Sequence, residues 1–280
     1  MISVSVIMAV YNGEDYLATA IESILNQSFR DFEFIIANDG SSDNSLNILE
    51  HYAKIDNRIV VINNKLNIGL PASLNHLITI AKGMLIARMD HDDIAKNNRL
   101  AREVEEFESD PLVDFVFSGT TLIDHNSETI CESWRPPLKK VLDYLPYCNF
   151  IPHPTVMIKK ELFIKNGFYR TDIYPKDDME LWNRFKKTGA KFSYIRQSLL
   201  YYRINPKSSQ QIGDGYANEI YYLYIAQVAL GNNAGIKILK KYLVKLDYKN
   251  SLMLILKNLV PFSLFTRYYL YKLKKNLKDL

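Results

Sequence analysis

The chain has 280 residues, 48% hydrophobic and 24% charged, enough apolar material for one large globular domain with or without an appendage. With only Cys131 and Cys148, and no apolar run long enough to span a bilayer, the composition excludes a disulfide-stapled fold and a transmembrane helix, and a reducing, cytoplasmic setting is expected. The net charge of +4 is uneven: residues 236–280 hold eleven Lys/Arg and two Asp, or +9, which leaves −5 for residues 1–235 and argues against a basic, nucleic-acid-binding body.

The opening MISVSVIMAV lacks basic residues before it and a small-residue cleavage pattern after it, so it reads as a strand rather than a signal segment. A strand is predicted over 3–10. A helix follows over 16–27, where Leu17, Ala20, Ile21, Ile24 and Leu25 share one face. FEFIIA (32–37) is a second strand, and Asp43 or Ser42 can cap a helix that starts near Ser45. Strands at 58–62, 83–89 and 113–119 alternate with helices at 72–81 and 98–109. This rhythm predicts βαβ units and an α/β fold with a mostly parallel, Rossmann-like sheet flanked by helices.

Residues 120–150 mix short β-like pieces, a turn at 134–137 and a short helix. A strand, a helix and a Gly-ended cap are read over 153–169. The segment 177–189 is a helix with acids in its first turn and lysines in its last. KFSYI and SLLYYRI are read as two strands, and the pattern from Gly215 to the end is helical. The expected division is a body of 1–212, in halves 1–118 and 119–212, with a helical, basic C-terminal extension over 213–280.

Ligands bind such sheets at the carboxyl ends of their strands. Three polar clusters follow strands and should share one edge: Tyr11 with Asn12, Asn38 with Asp39, and Asp90, Asp92 and Asp93 in ARMDHDDI. Acids packed this closely repel unless a positive charge stands among them. Hard oxygen ligands suit Mg²⁺ or Mn²⁺, although a strand ending in a polar turn has the same residues. A phosphate-binding GxxxxGK[ST] motif and a GxGxxG motif are both absent from the sequence.

The blocks VSVIMAVYNGEDYLATAIESILNQSF, FEFIIANDGSSDNS, NKLNIGLPASLN, ARMDHDDI, HPTVMI, PKDDMELWNRF and LLYYRIN, in that order and spacing, resemble the family-2 glycosyltransferases of GT-A fold over residues 2–207. The resemblance implies a metal-dependent, inverting transfer of a sugar from a UDP-sugar to a hydroxyl of a glycan or lipid-linked acceptor, in the assembly of surface polysaccharide. It implies that Tyr11 lies along the nucleotide, that Asp39 meets the uracil edge and that Asn67 helps hold the base. Asp92 would be the direct Mn²⁺ or Mg²⁺ ligand, with Asp90 nearer the ribose and Asp93 a cap for the following helix. His91, between the two ligands, would point away from them. Asp178 would be the general base, with Asp177 standing where the family usually has Glu. Acids at a helix N-terminus also stabilise the helix without any catalytic task.

Asn205 stands where the family often has His, which weakens any third metal ligand there. Arg203 could pair with a donor phosphate or make a surface salt bridge, and His153 could line the acceptor side or pack as a structural histidine. Residues 261–280 place Phe262, Phe265, Tyr269, Leu273 and Leu277 at helical spacing among Arg267 and four lysines. This fits either peripheral contact with the inner face of the plasma membrane or packing on the body. The rival functions are a nucleotidyltransferase, which would release pyrophosphate, and a non-catalytic sugar-nucleotide-binding protein.

Overall fold

The structure is a computed structural model and describes residues 3–133, 136–146 and 149–204. Its strands are β1 (Val4–Val10), β2 (Phe32–Asp39), β3 (Ile59–Asn64), β4 (Leu85–Arg88), β5 (Ile94–Ala95), β6 (Phe115–Ile123), β7 (Thr129–Glu132), β8 (Met157–Lys159) and β9 (Phe192–Arg203). The helices are α1 (Leu17–Leu25), α2 (Ser45–Ile55), α3 (Leu70–Ile80), α4 (Arg99–Ser109), α5 (Leu138–Tyr144), α6 (Lys160–Asn166) and α7 (Asp177–Lys187).

Among the described residues the strands form one sheet in the order β3-β2-β1-β4-β8-β6-β9-β5, with β7 beside β6. The pairs β3–β2, β2–β1, β1–β4 and β6–β9 are parallel and carry most of the register. An antiparallel seam runs through β4–β8–β6, and β5 and β7 also pair antiparallel. The expected α/β sheet is therefore found, flanked by helices on both faces.

Alternation along a strand sends successive side chains to opposite faces, and β1 is buried on both. Val4, Val6, Met8 and Val10 pack with Leu17, Ala20, Ile21 and Ile24 of α1, Leu49 of α2, and Leu100, Val104 and Phe107 of α4. Ile7 and Ala9 face the other way, toward Leu74, Leu77 and Ile78 of α3, Leu162 and Phe163 of α6, and Leu181, Trp182 and Phe185 of α7. Each large side chain buried this way contributes about 1.5–3 kcal/mol. The helical stripe of α1 thus fixes which way the chain turns after β1.

Two sequence expectations are corrected. KFSYI and SLLYYRI are not two strands: they form the continuous β9, whose register against β6 shifts on both sides of Gly119. Asp93 does not cap a helix, because β5 intervenes and Asn98 stands at the N-terminus of α4. Asp43 does bond the first turn of α2, accepting the Ser45 N–H at 3.0 Å. The boundary expected at 212, the extension 213–280, Asn205, Trp134 and Cys148 lie outside the described residues. Within the described residues, no helix is long and apolar enough to cross a membrane.

Candidate active site

The carboxyl ends of β1, β2, β3 and β4 point to one edge because the four strands are parallel. Two loops there are laced together. The Asn12 N–H donates to Ser41 Oγ at 3.1 Å, and the Ser42 N–H donates to Asn12 Oδ1 at 2.9 Å. The Gly13 N–H reaches Ser45 Oγ at 2.9 Å, and the Glu14 N–H reaches Asp43 Oδ2 at 3.0 Å. Tyr11 stands on this edge with half of its surface exposed. His91 lies against Gly13, so that a side chain at 13 would run into its ring.

Asp39 ends β2 and is buried. Its Oδ1 accepts from Asn64 Nδ2 at 2.9 Å and from the Ile68 N–H at 3.0 Å, and its Oδ2 accepts from the Gly69 N–H at 3.0 Å. Asn67 is exposed, and its Oδ1 also accepts from the Gly69 N–H, at 3.0 Å. Asp39 and Asn67 therefore come together through one loop. Gly40 allows the close approach: it has φ +71°, and a Cβ there would stand 2.5 Å from the Asn67 nitrogen.

Past β4, one carboxylate oxygen from each of Asp90, Asp92 and Asp93 falls within 4.8 Å of the others. Burial raises the Asp92 carboxyl, and burial followed by Asp92 and Asp90 raises Asp93 well above the usual carboxylate range. Asp93 Oδ1 accepts the Arg203 N–H at 2.7 Å, while its buried Oδ2 has no hydrogen-bond partner among the described residues. An all-oxygen donor set with an unpaired buried carboxylate oxygen fits a hard divalent cation.

Arg203 is buried, and among the described residues it makes no salt bridge. Its guanidinium is buried, with Nε donating to the Asp92 carbonyl at 2.7 Å, Nη1 to the Asp124 carbonyl at 2.8 Å and Nη2 to Ser127 Oγ at 3.0 Å. It also covers the Tyr16 ring at 4.1 Å. These bonds commit most of its donors to holding the acid loop against β6 and β9.

On the other side of the β8 seam, Asp177 and Asp178 open α7. Asp177 is 3% exposed, burial raises its carboxyl, and its Oδ2 has no hydrogen-bond partner among the described residues. Asp178 Oδ2 accepts from Asn149 Nδ2 at 2.7 Å, and its Oδ1 accepts the Met179 N–H at 2.6 Å. Burial and then the adjacent Asp177 push the Asp178 carboxyl up to about 7. His153 packs as a structural residue would, with Nε2 2.9 Å from the Tyr169 hydroxyl and its ring centroid 5.7 Å from Trp182. Burial, and after it the charge of Arg88, lowers His153 well below its ordinary value and leaves it neutral.

Sequence reasoning passed over Arg88, Asn149 and the buried pair Arg99–Glu103. Arg88 gave a signal, a charge at the end of an apolar strand. Asn149 gave none, since its partner is 29 residues away.

The family model for glycosyl transferase family 2 matches residues 5–166. The O-antigen biosynthesis glycosyltransferase WbnJ of Escherichia coli is 37% identical over 74% of this chain and 82% of its own length. An uncharacterised glycosyltransferase of Methanocaldococcus jannaschii, MJ1057, is 36% identical over 72% of this chain and 70% of its own. Residues 1–349 of Staphylococcus aureus TarS, solved with UDP, superpose with a TM-score of 0.61 at 19% identity, covering 81% of this chain and 64% of that one. The mannosyltransferase PcManGT of Pyrobaculum calidifontis, solved with GDP-Man and Mn²⁺, gives a TM-score of 0.62 at 15% identity over 99% of this chain and 87% of its own.

Proposed function

The chain belongs to glycosyl transferase family 2, a glycosyltransferase of GT-A fold, and on that premise we propose that it moves a sugar from a UDP-sugar to a hydroxyl of a glycan or glycolipid acceptor by a single inverting displacement. The observation that carries this reading is the Asp178 carboxyl, raised to about 7 and held by Asn149 and the Met179 N–H. A general base works best with a pKa near the working pH. As the acceptor oxygen forms its bond to the anomeric carbon, its proton passes to Asp178. The bond from that carbon to the diphosphate oxygen breaks, and UDP leaves with the electron pair. Attack from the face opposite the leaving group inverts the configuration.

Asp177 assists by raising the basicity of Asp178, and His153, neutral and fixed by Tyr169, would line the acceptor side. Asp92 and Asp90 would hold Mn²⁺ or Mg²⁺, which when bound neutralises the charge that develops on the departing diphosphate. Tyr11 would lie along the nucleotide. Asp39 and Asn67, joined at the Gly69 N–H, would present the wall that takes the uracil edge. Arg203 would serve the donor mainly through the Asp92 carbonyl it holds. In this reading residues 1–118 bind the nucleotide and 119–212 serve the acceptor. The names of relatives in O-antigen and teichuronic acid biosynthesis favour a surface-polysaccharide acceptor.

Calorimetric titration of UDP, with and without Mn²⁺, tests the donor site in the wild type and in Asp92→Ala. Metal-dependent binding that Asp92→Ala abolishes is expected, and binding that ignores both metal and substitution refutes the site. Turnover of UDP-sugars that releases UDP and stops in Asp178→Asn is the second expectation. Release of pyrophosphate would make the protein a nucleotidyltransferase instead.

A further inference from the structure

Arg88 ends β4 with 3% of its surface exposed, and the transfer above uses it only through its charge on His153 and on the Asp177 and Asp178 carboxyls. Its backbone is pinned on both sides. The Arg88 N–H donates to the Val156 carbonyl at 3.0 Å, and its own carbonyl accepts from Arg99 Nη2 at 2.8 Å. The guanidinium meets the Asp90 carboxylate, while its buried Nε has no hydrogen-bond partner among the described residues. Its charge reaches Asp92 and Asp93 as well. A guanidinium does not shed its proton, so this positive charge is permanent.

We propose that Arg88 is the internal counter-ion of the acid cluster, a positioning residue that holds Asp90 while no cation is bound and keeps a bare divalent ion from binding tightly until a nucleoside diphosphate arrives. Ionised Asp90, Asp92 and Asp93 carry three negative charges. Arg88 meets Asp90 directly and offsets one of them. A divalent cation entering alone would have to settle beside the fixed Arg88 charge in a largely buried place, which is unfavourable. The oxygens of a nucleoside diphosphate supply the missing negative charge, so ion and nucleotide favour each other's binding. The proposal rests on the acid cluster being the cation site.

The test is calorimetric titration of MnCl₂ into the full chain, first without nucleotide and then with saturating UDP, for the wild type, Arg88→Gln and Asp92→Ala. In the wild type, bare Mn²⁺ should bind on the order of 100-fold more weakly than Mn²⁺ in the presence of UDP. Arg88→Gln keeps a hydrogen-bond donor but removes the charge, and should tighten bare Mn²⁺ binding by roughly tenfold. A side chain that only supported the fold would weaken binding when replaced, so equal or weaker binding by Arg88→Gln overturns the proposal. If Arg88→Gln fails to fold, the wild type decides alone: bare Mn²⁺ bound as tightly as with UDP overturns it. Mn²⁺ binding that survives Asp92→Ala would remove the cation site itself, a failure distinct from that of the Arg88 role.

Discussion

Replacing Arg99 should damage stability and donor binding by amounts that can be separated. Arg99 and Glu103, one turn apart on α4, are both fully buried, with Nε 2.9 Å from Oε1. Arg99 also donates to the Arg88 carbonyl at 2.8 Å and contacts Met89 Sδ at 3.4 Å, so it braces the strand that carries the acids. Arg99→Leu strands the Glu103 carboxyl and leaves the Arg88 carbonyl without its donor. Losing one partner of a buried ion pair costs about 3–5 kcal/mol. Burial already outweighs Arg99 in setting Glu103, whose carboxyl is raised to about 7 and can take up a proton, so the cost should fall near the lower end. Adding Glu103→Leu removes the stranded group and should return stability to within ~1–2 kcal/mol of the wild type. It does not restore a donor to the Arg88 carbonyl, so UDP affinity should stay low in the double variant. Urea unfolding reads the first quantity and UDP calorimetry with Mn²⁺ the second. A double variant as unstable as Arg99→Leu, or one that binds UDP like the wild type, would refute the reasoning.

The folded Glu103 pKa of about 7 lies above the ordinary value of 4.5, so the folded state holds a proton that the unfolded state releases. Stability should therefore fall as pH rises from 4.5 to 7, and Glu103→Gln should flatten that slope in urea melts at several pH values. Asp178, raised to about 7, must be ionised to accept a proton, so the transfer rate should climb with pH through that value and then level off. A rate unchanged between about pH 5.5 and 8.5 would count against it as the base. Asp178→Asn should lower turnover by roughly 10²–10⁴-fold while UDP affinity stays within about twofold. Gly40→Val places a side chain at φ +71° against the Asn67 and Leu66 backbone, and should cost ~1–3 kcal/mol in thermal melts and weaken UDP binding.

Periodicity carried most of the fold: the stripe in α1 and the β-branched run of β1 name the two packing faces before any coordinates are seen. β5 escaped notice because two residues, Ile94–Ala95, make no pattern, and they become a strand only through pairing with Tyr201 and Leu200. The break foreseen in β9 came from Arg196 and Gln197, which the sheet tolerates as a register shift, with the next residue, Ser198, bonded to Thr121. The site's acids were legible because they are clustered in sequence. Their supports were not. Arg99 and Glu103 at i,i+4 look like an ordinary surface pair, and only the packing of α4 against β6 and β9 makes them buried. Arg203 was expected to pair with a donor phosphate or make a surface salt bridge, and three of its oxygen partners instead lie 76 to 111 residues back along the chain.

That long reach bears on how the protein is made. The acid loop is tied down by the Arg203 N–H bonded to Asp93, across 110 residues. At ribosomal speeds those residues take roughly 5–20 s to appear. Throughout that interval the growing chain already has α1, α2 and α3 available to cover β1 and β2, but its three acids lack the strand that gathers them. Donor binding is therefore the last competence this half of the molecule acquires. A nascent chain halted before β9 should be folded enough to resist protease and still be blind to UDP.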